Sequence, residues 1–185
     1  MRVVAGRLGG RTLRAVPGSA TRPTSDRVRE ALFAILGDRV PGARVLDLFA
    51  GTGALAIEAL SRGAAHAVLV EQAAPAVAVI RANLAALELT SSATVRRTRA
   101  ETYLRTRRDG PFDLVFLDPP YAVGVGLLAG LLARLGEGAL AAGATVVVEA
   151  AARSEAPVWP PGLLAEPPRR YGDTALHLAV WSPPG

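Results

Sequence analysis

Val45-Leu46-Asp47-Leu48-Phe49-Ala50-Gly51-Thr52-Gly53-Ala54-Leu55 is the stretch on which the reading of this chain turns. An apolar run ends near an acid, passes through Gly-x-Gly and continues as a helix-like segment. That pattern predicts a strand turning into a helix through a loop whose missing side chains let a ligand meet the backbone. Many α/β proteins carry such a turn, so its surroundings must decide. Apolar runs occur at 44–49, 67–71, 93–96, 112–117 and 144–149, with helix-compatible segments at about 54–62, 75–87, 100–107 and 124–135 between them. This alternation predicts a parallel sheet wrapped by helices on both faces. Pro75 suits the first turn of its helix. The alternating run from Thr174 to Trp181 reads as a last strand, after a loop holding Pro157, Pro160, Pro161, Pro167 and Pro168.

Upstream of the decisive stretch the chain changes character. Val3-Val4-Ala5 and Thr12-Leu13-Arg14 flank Gly9-Gly10, so residues 2–16 read as a β-hairpin closed by a tight turn. A lone two-stranded ribbon is barely stable and must lean on the main body or on a ligand. Residues 17–24 form a linker with Pro17, Gly18 and Pro23. A helix follows from about Ser25 to Leu36, capped by Thr24 or Ser25, with Val28, Ala31, Leu32 and Ile35 on one face. The expected organisation is a basic hairpin and linker, 1–24, followed by one α/β domain, 25–185.

All 21 basic residues are Arg, and the net charge is +5. Residues 1–29 hold Arg2, Arg7, Arg11, Arg14, Arg22, Arg27 and Arg29 against one acid, Asp26. A basic end suits a polyanionic partner; by charge alone a solvated basic surface fits equally well. With no cysteine and two histidines, a metal site is not expected. No run approaches the roughly 18 apolar residues of a membrane span, and the N-terminus lacks a signal-peptide core. A soluble, cytoplasmic protein is expected.

Glu71 ends the second predicted strand, twenty residues beyond Gly51. An acid there can accept hydrogen bonds from both hydroxyls of a ribose, which points to an adenosine-containing cofactor. A nicotinamide dinucleotide fits this far. Asp47, however, faces the loop where its pyrophosphate would lie and would repel it. The cationic tail of S-adenosylmethionine would be welcome there. Asp118-Pro119-Pro120-Tyr121 follows the apolar strand Phe112 to Leu117. Two prolines remove two backbone donors and fix the chain. Asp118 and a proline carbonyl can then accept both hydrogens of an amino group on a base, turning its lone pair outward. Tyr121 offers a face for stacking the base. These four residues are the catalytic candidates.

The tetrad resembles that of class I amino-methyltransferases, and the wider pattern is similar to the RsmD family of bacterial 16S ribosomal RNA (guanine-N2)-methyltransferases. The matching pieces are Val3 to Leu13, Arg22 to Phe33, Asp47 to Leu55, Glu58 to Gly63, Glu71, Asp118 to Tyr121 and Tyr171 to Thr174. The block Arg22 to Phe33 is the most discriminating. The resemblance implies a class I, Rossmann-like fold with a mostly parallel seven-stranded sheet and a small N-terminal hairpin. It also implies S-adenosylmethionine as cofactor, S-adenosylhomocysteine as product and 16S ribosomal RNA as partner, naked or within an assembling small subunit, with the protein a monomer. By the same resemblance Asp47, Gly51 and Gly53 line the cofactor's methionine end, and Phe49 and Asp118 are further cofactor-binding residues. Glu71 holds the ribose, and Thr24 closes over the cofactor. Members often carry Asn or Asp where Arg99 stands, so the expected adenine contact is a backbone N–H of Ala100 or Glu101. Arg2, Arg7, Arg11, Arg14 and Arg22 would grip RNA. Rival readings are a DNA adenine-N6 methyltransferase, a protein glutamine methyltransferase and a non-enzymatic RNA-binding module.

Overall fold

Five parallel strands form the spine of the molecule: β1 (Arg44–Asp47), β2 (His66–Glu71), β3 (Ala93–Arg97), β4 (Phe112–Leu117) and β5 (Leu140–Ala151). Their spatial order is β3-β2-β1-β4-β5. Three more strands, β6 (Leu163–Ala165), β7 (Arg169–Tyr171) and β8 (Thr174–Trp181), complete the sheet. The eighth lies antiparallel against β5, and the two short ones pair antiparallel with it. The computed structural model describes residues 1–17, 25–120 and 124–183.

Among the described residues the sheet counts eight strands where seven are expected, with the Rossmann-like order otherwise as expected. The difference lies in the Pro-rich stretch that reads as a loop, where β6 and β7 are three residues each. Pro167 and Pro168 fall between them, and proline cannot donate to a ladder. Tyr171 pairs with Thr174, so Gly172-Asp173 forms a two-residue hairpin turn.

Helices α1 (Asp26–Leu36), α2 (Ala54–Ser61), α3 (Ala74–Ala86), α4 (Ala100–Thr106) and α5 (Val125–Gly136) cover both faces. Ser25 caps α1 by accepting the Val28 N–H at 3.2 Å. The helices α1, α2 and α3 bury Leu32, Phe33, Ile57 and Ile80 with Val45, Leu69 and Phe116. On the opposite face α4 and α5 bury Tyr103, Leu104, Leu131 and Leu135 with Leu46, Val68, Val70 and Leu117. Neighbouring strand residues thus point to opposite, equally apolar faces, which is why these strands read as continuous apolar runs.

The N-terminal segment folds back on itself and lies as a strap against the body. Its two flanks pair at the bridge Arg2 with Thr12, through Leu13 N–H to Met1 O at 3.0 Å and through Val3 N–H to Arg11 O and Gly10 N–H to Val3 O, both 2.9 Å. Val3 and Leu13 are buried in the same cluster as α1 and α2. Bonds to the body add to these cross-flank hydrogen bonds. Glu58 Oε2 and Oε1 accept the N–H groups of Val4 and Ala5 at 2.7 and 3.0 Å. Ser61 Oγ accepts from Leu8 and donates to Ala5 O. Gly6 is obligatory at this approach: its φ is +80°, and a Cβ would meet Ser61 O at 2.1 Å.

Candidate active site

The order β3-β2-β1-β4-β5 reverses direction at β1, so the crevice between the carboxyl ends of β1 and β4 is the topological switch point where ligands bind in such sheets. Register brings the candidates to that edge. Asp47 pairs with Phe116 on one side and Leu69 on the other. Leu48 N–H continues the ladder to Phe116 O at 3.1 Å, and Ala50 N–H reaches Val70 O at 3.0 Å. The glycine loop and the Asp118 tetrad therefore leave adjacent strand ends.

Asp47 is 1% exposed, and no donor meets either carboxylate oxygen at hydrogen-bond geometry. Burial pushes its pKa up to about 7, the nearby N–H groups of Phe49 and Ala56 hold it back in part, and the charge of Glu71 adds to the rise. A buried carboxylate with no partner is costly; a cationic group delivered to it by a ligand would relieve that cost. Phe49, in the loop just after it, packs against the α4–α5 side of the core.

The loop is held from both sides. Glu71 Oε2 accepts the Gly51 N–H at 3.0 Å, while Oε1 accepts the Ala73 N–H at 2.8 Å. Each oxygen keeps a further lone pair for a hydroxyl donor. At Gly51 a Cβ would meet nothing within 4 Å, which is open space beside the loop. Gly53 is needed for a different reason: its φ is +82°, and a Cβ would crowd Leu69 Cδ2 at 3.1 Å. Across the loop, the Asn83 amide donates to Thr52 O at 3.0 Å.

Ala100 and Glu101 open α4, where the first N–H groups have no intrahelical acceptor. Thr98 N–H bonds Glu71 O at 3.1 Å, tying this opening to the end of β2. Asp118 and Pro119 are half-buried and Pro120 is exposed. Thr24, Arg22 and Tyr121 lie outside the described residues. Arg2, Arg7, Arg11 and Arg14 are all exposed on the strap. Arg2 pairs with Asp26 at 3.6 Å, and Arg11 Nη2 donates to Ala86 O at 3.2 Å. His66 bonds Thr94 Oγ1 at 3.0 Å and His177 is buried in β8, away from the loop residues. Among the described residues no cluster of three or more candidate ligands could hold a metal.

Sequence reasoning missed Glu58, Ser61 and Asn83, which bind the strap to the site. A signal was present: Glu58 and Asn83 each interrupt an apolar helix, Ala54-Leu55-Ala56-Ile57 and Val79-Ile80 with Leu84. Both are fully buried, and a buried polar group must find a partner.

Fold and site together define the class, a Rossmann-like methyltransferase. A family described as conserved hypothetical protein 95 matches residues 1–180. Ribosomal RNA small subunit methyltransferase D of Escherichia coli (strain K12) is 40% identical over 125 residues, which is 68% of this chain and 62% of that one. Bacillus subtilis YlbH is 48% identical over 123 residues, 65% of this chain and 67% of the relative. The solved structure of Escherichia coli yhhF matches with a TM-score of 0.89 at 35% identity, covering 100% of this chain and 99% of the other. The chain belongs to this family, the RsmD family.

Proposed function

We propose that the chain transfers a methyl group from S-adenosylmethionine to the exocyclic N2 of a guanine in 16S ribosomal RNA. The observation that carries the reading is the pairing of strand ends: the unpartnered, buried Asp47 carboxylate sits at the end of β1, and Asp118-Pro119-Pro120 leaves the neighbouring β4. The donor set fits the cofactor and not a dinucleotide. Asp47 would take its ammonium group and would repel a pyrophosphate. Gly51 and Gly53 give backbone access, Glu71 retains acceptors for the ribose hydroxyls, and the N–H groups at Ala100 and Glu101 reach the adenine edge. S-adenosylmethionine supplies an activated methyl group when bound and leaves as S-adenosylhomocysteine.

The protein's own part is positioning, which can account for about 7–11 kcal/mol of a barrier. Asp118 and the Pro119 carbonyl accept the two N–H bonds of the amino group and pull the nitrogen toward tetrahedral geometry. Asp118 also stabilises the positive charge that develops on that nitrogen and takes up the proton released as the base regains neutrality. Tyr121 would stack the base, and a base already unpaired in an RNA loop avoids the few kcal/mol of extrusion. The exposed Arg7, Arg11 and Arg14 would contact phosphates. The name of the Escherichia coli relative supports ribosomal RNA as substrate; the guanine rests on the family resemblance.

Incubation with methyl-labelled S-adenosylmethionine and RNA, DNA or protein in parallel tests the substrate class. Label is expected on RNA alone. Label on DNA would favour an adenine-N6 enzyme, and label on protein a glutamine methyltransferase.

A further inference from the structure

We propose that Asn83 is a positioning residue that couples the basic strap to the glycine loop, so that order in one and ligand occupancy of the other reinforce each other. The inference rests on the reading of Gly51–Gly53 as the cofactor loop. Asn83 is 2% exposed on α3. Its Oδ1 accepts the Arg14 N–H at 2.8 Å, and its Nδ2 donates to Arg14 O at 3.2 Å and to Thr52 O at 3.0 Å. One carboxamide therefore spends both donors and its acceptor on two segments that sit 38 residues apart in sequence, Arg14 and Thr52. Its orientation is fixed by this pattern, because a flipped amide would set an N–H against the Arg14 N–H.

The link has no slack on either side. The peptide groups beside Thr52 are also fixed by Glu71 to Gly51 N–H at 3.0 Å and by Gly53 N–H to Ala50 O at 2.6 Å. Thr52 Oγ1 further approaches Met1 Sδ at 3.7 Å, a second contact from strap to loop. On the other side Glu58 and Ser61 hold Val4, Ala5 and Leu8. Both residues belong to α2, the helix that starts where the loop ends. The strap thus closes a ring: loop, α2, strap, Asn83 and loop again. Arg7, Arg11 and Arg14 of the strap are exposed to solvent. A polyanion that orders the strap also orders the loop, and by thermodynamic reciprocity a ligand in the loop orders the strap.

The test uses the whole chain and S-adenosylhomocysteine as probe, with calorimetry for affinity and amide hydrogen exchange for the strap. In the wild type the probe should slow exchange of the Arg14 N–H by about 10-fold. Asn83→Ala should raise the Kd for the probe about 10-fold and abolish the slowing. Asn83→Asp keeps an acceptor for the Arg14 N–H but loses both donors, so it should leave Arg14 protected in the free protein while weakening the probe similarly. A merely structural asparagine would give a variant with a lower melting temperature but an unchanged Kd for the probe. Probe binding with no response at Arg14, or wild-type affinity in Asn83→Ala, overturns the proposal. Should both variants unfold by circular dichroism, the wild-type arm still decides. A wild type that does not bind the probe refutes the cofactor reading itself, and the coupling with it.

Discussion

At the scale of single residues, the proposed reaction divides its work between Asp47 and Asp118. Asp118→Ala should reduce methyl transfer by at least about a thousandfold, since it removes the acceptor that orients and stabilises the reacting nitrogen; calorimetry should find S-adenosylhomocysteine binding within about threefold of wild type. Near-normal turnover in this variant would sink the catalytic assignment. Asp47 makes a pH argument. Its pKa is raised by burial from an ordinary 3.8 to about 7, so the folded, ligand-free protein favours the neutral acid. The stability that this form allows is present below pH 4 and is lost as pH rises through about 7. Asp47→Asn should therefore stabilise the ligand-free protein at pH 8, by about 2 kcal/mol, and change little at pH 4. Thermal melts at the two pH values check it. The same substitution should weaken cofactor binding most above pH 7, where the wild type offers a carboxylate. Position alone marked Asp47 as a ligand in the sequence; its burial and missing partner became visible only once α2 and the loop were folded over it.

At the scale of elements, the strands were legible because both faces of the sheet are covered, which makes Val68-Leu69-Val70 and Leu114-Val115-Phe116-Leu117 apolar throughout. The short β6 and β7 were not, because their pairing depends on β8 and not on a pattern of their own. The strap was half legible. Its two flanks and its arginines could be read, but its attachment is made by backbone N–H groups reaching Glu58 and Ser61, 53 or 54 residues away. Glu58 also carries Arg62 Nε at 2.8 Å, so Glu58→Ala leaves two half-buried N–H groups and a guanidinium without their acceptor. It should cost about 3 kcal/mol and lower the Tm by roughly 6–10 °C. A melt within 2 °C of wild type would show the clamp to be superficial. The buried Val3 and Leu13 make deletion of residues 1–16 a poor probe of RNA binding, since it would open the core. The triple variant Arg7→Ala, Arg11→Ala, Arg14→Ala keeps the strap and removes the charge. It should flatten the log–log salt dependence of RNA binding by about 3, and an unchanged slope would mean that these arginines do not meet phosphate.

At the scale of the whole molecule, one sheet edge gathers Asp47, the glycine loop, Glu71 and Asp118. The order of the strands places Asp47, the glycine loop and Asp118 at the switch point, β2 brings Glu71 beside them, and the strap backs the loop while facing its arginines outward. Charge and tetrad alone left RNA, DNA and protein open as substrates, and the strap's tie to the loop gives a physical reason for polyanion and cofactor to meet in one site. The most direct test is to react the protein with methyl-labelled S-adenosylmethionine and ribosomal RNA from cells lacking the enzyme, then digest the RNA to nucleosides. N2-methylguanosine from 16S RNA is expected, and none with Asp118→Ala. Label on another nucleoside, or no transfer by a protein that binds S-adenosylhomocysteine, would contradict the proposed reaction.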